Sequence, residues 1–101
     1  MTINAYLNED YLADIATNEG WRRLAAHIRS TGVVTYPNAH HLVEHGWTPY
    51  LSETRKELGL ILKNKPPKDK NTLKTFRNLM AVLRKLKLKE DDALVVSDGL
   101  R

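Results

Sequence analysis

The chain has 101 residues, 42% of them apolar, and no cysteine. That is enough for one domain with a hydrophobic core, and it excludes a disulfide scaffold, a cysteine-ligated metal centre and thiol catalysis. The net charge of +4 is unevenly spread: three arginines face six acids in residues 1–54, twelve Lys/Arg face two acids in 55–89, and four acids face Arg101 in 90–101. Such a split points to a polyanionic partner for the basic segment, to a solvated surface, or to a self-complementary homodimer.

Asn8, Glu9, Asp10 and Asp14 stand where a leader would carry a basic and then an apolar stretch, so no signal peptide is read there. No apolar run approaches a membrane span. The expected setting is a reducing cytoplasm, with no membrane partner.

In chain order, Asn8 can cap a short helix over 9–16 that places Tyr11, Leu12 and Ile15 on one face. Thr17 or Asn18 caps a second helix over 19–30, where Trp21, Leu24, Ala25 and Ile28 fall at helical spacing. Gly32 stops it. Val33–Val34–Thr35 is extended and, with no second strand to pair with, reads as linker. Pro37 opens a third helix with Ala39, Leu42 and Val43 as its stripe, ended by Gly46. Thr48–Pro49 opens a fourth, which runs to about Lys63 and buries Leu51, Leu58, Ile61 and Leu62. Pro66–Pro67 forces an extended hinge. Asn71 or Thr72 restarts the chain as a fifth helix over 72–87. There Leu73, Phe76, Leu79, Met80, Val82, Leu83 and Leu86 fill one half of the wheel. In the acidic end, Asp91 or Asp92 can cap a final turn burying Leu94 and Val95, or the end frays. The expectation is an all-α fold: a compact single-domain bundle of four to five short helices over 1–89, with an acidic tail over 90–101.

Two constellations carry candidate chemistry. His41–Leu42–Val43–Glu44–His45 has the H-x-x-E-H spacing of one metalloprotease class, with Glu53, Glu57 or Glu90 as third ligands. Gly46 cuts its helix short, however, and the histidines sit opposite the apolar stripe, so a plain polar face is the expected outcome and no metal or cofactor is assigned. The second is the basic segment. Lys63, Lys65, Lys68 and Lys70 flank the proline hinge, and Lys74, Arg77, Arg84 and Lys85 line one face of the fifth helix, with Lys87 and Lys89 beyond. Clustered cations are one footprint of nucleic-acid binding, although Lys outnumbers Arg and no aromatic side chain interrupts the stripe.

The turn His45–Gly46–Trp47–Thr48 has helix-turn-helix proportions, but Pro49–Tyr50–Leu51–Ser52 makes a poor start for a recognition helix. Trp21 belongs to the core. Trp47 is expected to staple the third and fourth helices, with exposure as a partner anchor the other reading. No nucleophile elbow, phosphate loop or paired carboxylates mark an enzyme. The expected function is a non-enzymatic protein–protein interaction or regulatory module of bacterial or phage type, with Trp47, Tyr50 and Leu60 as candidate partner contacts. The alternative is a nucleic-acid-binding protein using the basic helix face and the Lys-rich proline loop.

Overall fold

The computed structural model describes residues 2–7, 10–32, 37–85 and 93–97. Its elements run β1 (Thr2–Leu7), β2 (Asp10–Thr17), α1 (Asn18–Ser30), α2 (Pro37–His45), β3 (Trp47–Thr48), α3 (Leu51–Asn64), α4 (Lys70–Lys85) and β4 (Leu94–Ser97). The strands form one antiparallel sheet in the order β2-β1-β4-β3. The fold is α+β, which overturns the expected all-α bundle. The helices expected from residue 19, from Pro37, from Pro49 and from Asn71 or Thr72 are present, the last two beginning at Leu51 and Lys70. The errors lie at the two ends of the chain and at the turn before α3. Val33–Thr35, Leu86, Lys87, Lys89, Glu90, Asp91 and Asp92 lie outside the described residues.

The segment expected as a first helix is β2, and its register shows why it misleads. Ile3 pairs with Ala16 but Asn4 with Asp14, and Ala5 pairs with Ala13 but Tyr6 with Tyr11. Ile15 and Leu12 are therefore extra residues in two bulges. Ile15 is buried, and Leu12 and Ala16 pack against the core. Two bulges three residues apart replace the alternating pattern of a strand with an i, i+3, i+4 pattern, which is that of an amphipathic helix. Tyr11, expected on the buried stripe, is 58% exposed. It pairs in register with the buried Tyr6, and the two rings meet edge-on with centroids 6.0 Å apart.

The expected acidic tail contains β4, which pairs with β1 on one side and β3 on the other. Leu94 and Val96 point into the core and Val95 does not. A four-residue apolar run has no period of its own to separate strand from helical turn. Trp47 and Thr48, expected as a turn and a helix cap, form the two-residue edge strand β3.

Helices α1, α2 and α4 pack against the sheet, and α3 packs on α2 and α4. The core joins Ile3 and Ala5 of β1, Ile15 of β2 and Leu94 and Val96 of β4 to the buried stripes of the helices, with Leu24, Ile28, Leu42, Leu58, Phe76, Leu79 and Leu83 fully enclosed. Thr17 caps α1 by accepting from the Gly20 N–H at 3.0 Å. The Glu57 carboxylate of α3 reaches across to accept from the Ala39 N–H at 3.0 Å, placing negative charge at the start of α2.

Thr48 does not cap α3 as expected, because Tyr50 is the N-cap and offers no side-chain bond. The Thr48 hydroxyl instead accepts from the Tyr50 N–H at 3.3 Å and meets the Thr54 hydroxyl at 3.0 Å. Thr54 in turn donates to the Tyr50 carbonyl at 2.7 Å. Both threonines are fully buried. Thr54→Val keeps the shape and removes the acceptor of the Thr48 proton, so urea unfolding should show a loss of about 1–3 kcal/mol, with Thr54→Ser close to the parent.

Gly46 ends α2 at φ 71, a left-handed conformation suited to glycine. Its N–H donates to the Leu42 carbonyl at 2.8 Å and its own carbonyl accepts from the Val96 N–H. A Cβ at Gly46 would collide with the Val96 carbonyl oxygen, whereas one at Gly32, with φ 66, would meet nothing. Gly32→Ala should therefore cost only the backbone penalty of about 1–2 kcal/mol. Gly46→Ala should cost clearly more, since β4 must also move. Equal losses for the two variants in denaturant titrations would contradict this packing.

Candidate polyanion-binding face

Helix α4 begins because Asp69 caps it. One Asp69 oxygen accepts from both the backbone N–H and the hydroxyl of Thr72, each at 2.9 Å. These bonds, with a smaller contribution from the charge of Arg23, hold the Asp69 carboxyl below its ordinary value near 3.8. Thr72, Thr75, Phe76, Leu79, Met80 and Leu83 then face inward. The outward arc carries Lys70, Lys74, Arg77, Arg84 and Lys85, all exposed. At 100° per residue these five fall within roughly 100° of the helix circumference.

Lys63, Lys65 and Lys68 of the hinge are exposed as well, but they do not all extend the stripe. Lys65 is turned back on α1: its Nζ donates to the Thr31 carbonyl at 3.1 Å, while its own carbonyl meets His27 Nε2 at 2.7 Å. This charge sits at the C-terminal end of α1, where a cation is favoured. Pro67 is buried, so the second proline anchors the hinge.

A crevice of about 380 Å³ lies where the start of α1 meets α4, and Arg23, Lys74, Asn71, Thr75, Asn78 and Glu19 contribute to its lining. Gly20 permits the close approach, because a Cβ there would lie 3.2 Å from the Thr75 hydroxyl. Asn78 ties α4 to β2 by donating to the Ile15 carbonyl at 3.1 Å. Arg23 pairs with Glu19 one turn earlier. Sequence reasoning missed Arg23 as part of this face. Its position on the polar side of α1 was visible, but nothing local says that α1 neighbours α4.

The other candidates lie elsewhere. The rings of His41 and His45 are 4.7 Å apart, and Trp47 stands edge-on to His41 at 5.3 Å. Glu44 approaches His45 Nε2 to 3.8 Å. Among the described residues no three His, Asp or Glu side chains are arranged to hold a metal ion. Glu57 is engaged at the start of α2. Trp47 is 42% exposed, Tyr50 58% and Leu60 39%. They do not make one patch: Tyr50 and Leu60 are ten residues, or roughly 15 Å, apart along the α3 axis. No helix among the described residues is long and apolar enough to cross a membrane. No protein-family model, curated protein or solved structure matches the chain.

The lowered Asp69 carboxyl gives a pH signature. A depressed folded-state value means that the group adds stability above its unfolded value, and that this is lost as pH falls through 3.8 toward the folded value. Thermal melts of Asp69→Asn and the parent should differ at pH 6, and the difference should shrink as the pH is lowered below 3.8.

Proposed function

We propose that the protein is a nucleic-acid-binding module that grips the phosphate backbone through the outward face of α4 and the adjoining hinge. One observation carries this reading: Lys63, Lys65, Lys68, Lys70, Lys74, Arg77, Arg84 and Lys85 are all exposed, and none is in an ion pair among the described residues. A solvated face that serves only solubility usually interleaves both signs of charge. Here the carboxylates that border the crevice or start α4 are engaged, Glu19 with Arg23 and Asp69 with the α4 cap. Among the described residues seven of these eight cations have no ion-pair partner and can meet phosphates, and Lys65 keeps its bond to α1.

The chemistry on this face positions a ligand without reading sequence. Lysines and arginines release counterions from phosphates, whereas base readout needs side chains that stack or make bidentate bonds to base edges. No aromatic residue stands on the outward arc of α4, because Phe76 is fully buried. Binding should therefore be strongly salt-dependent and tolerant of sequence. A protein partner is the second reading, supported by the exposure of Trp47 and Tyr50 beside the sheet edge.

Fluorescence anisotropy with labelled single- and double-stranded DNA and RNA tests the proposal. Affinity should fall steeply between about 50 and 200 mM salt. The double variant Lys74→Glu/Arg77→Glu should lose at least tenfold and flatten the salt slope by about two, while Leu60→Ala should bind like the parent. No binding to any of these at about 50 mM salt would remove nucleic acid and leave the protein partner.

A further inference from the structure

The histidine pole is separate from the basic face. We infer that His41 and His45 form a two-imidazole chelate for a borderline divalent transition metal ion of the zinc, nickel and copper class. Spacing i, i+4 puts both side chains on one face of the last turn of α2. With metal–nitrogen bonds of about 2.0–2.1 Å and a ring centre about 1.1 Å behind each nitrogen, two imidazoles in adjacent positions of one ion have centres roughly 4.5–5 Å apart. The observed separation is 4.7 Å. That spacing brings the two rings within reach of one ion.

The surroundings favour a cation. The Glu44 carboxylate lies 3.8 Å from His45 Nε2, and α2 contains no Lys or Arg. Neither ring accepts or donates a hydrogen bond to another element among the described residues, unlike His27, which is held by the Lys65 carbonyl. The His45 side chain is 63% exposed, so an ion reaches it from solvent. Imidazole nitrogens suit zinc, nickel and copper over magnesium or calcium. With no third protein ligand among the described residues, water completes the sphere and the ion exchanges readily. This is an open chelate, distinct from the catalytic centre implied by the H-x-x-E-H pattern.

Trp47 supplies the readout, since its ring lies 5.3 Å from that of His41. Bound nickel or copper should quench its emission, while buried Trp21 provides a steady background. The full chain is titrated with nickel chloride and with zinc chloride, followed by calorimetry, tryptophan emission and histidine side-chain NMR. One ion per chain is expected. His41→Asn and His45→Asn should each weaken binding at least tenfold by removing one arm of the chelate, and His40→Asn should leave it within about twofold. Trp47→Phe should abolish the quenching and keep the calorimetric affinity. NMR of the unaltered protein guards against a variant that fails to fold: zinc should move the ring signals of His41 and His45 and leave those of His27 and His40. Unchanged affinity in either His41→Asn or His45→Asn, or equal response of all four rings, overturns the site and reduces the pair to two packed rings.

Discussion

The sheet depends on one short strand. β4 bonds to β1 near the start of the chain and to β3 in its middle. Without it, β1 and β2 are a two-stranded hairpin held only by the helices packed on it, and β3 is two residues with nothing to pair with. Leu94 and Val96 also complete the face on which α1, α2 and α4 rest. The close contact that admits β4 is made at Gly46, whose carbonyl accepts from Val96. The left-handed turn that ends α2 and the hydrogen bond that seats β4 are thus properties of the same residue. A side chain there would strain the first and block the second.

The division of the molecule into two surfaces follows from how α4 is placed. Its apolar half is covered by α1, α3 and β2, which leaves the cationic arc facing water together with Asn71, Asn78 and Ala81. Asp69 fixes where the helix begins, Gly20 and Thr75 bring α1 close, and Asn78 holds β2. Arg23 thereby joins a basic surface built mostly from residues more than forty positions later. The histidines and Trp47 are gathered differently. His41 and His45 come together through helical spacing alone, and β3 then carries Trp47 to them. The two surfaces share no residue, and ligands on them can be tested independently.

Much of this was legible before any coordinates. Capping and breaking residues placed α1 and α2 and divided α3 from α4: Thr17 stands at the start of α1, Pro37 is the first residue of α2, and Pro66–Pro67 separates α3 from α4, whereas Thr48 lies in β3 instead of capping α3 and Asp69, not Asn71 or Thr72, caps α4. Apolar spacing placed Trp21, Leu24, Ile28, Phe76, Leu79 and Leu83 in the core, where they lie. The cationic face of α4 follows from the same periodicity, because a helix that buries one half must expose the other. These are local properties, decided within a turn or two of chain by backbone sterics and hydrogen bonding.

The strands were not legible in that way. β2 breaks the strand period with two bulges and so carries a helix's apolar spacing. β3 and β4 are too short to show a period at all. β3 and β4 become strands only because their backbone N–H and C=O groups find partners dozens of residues away, and no local preference records that pairing. The same holds for the candidate sites. The sequence by itself determined the outward charge of α4 and the adjacency of His41 and His45. Only the tertiary structure decided that Arg23 borders the basic face, that Lys65 turns back to α1 and that Trp47 leans on His41, because those contacts depend on which elements pack together.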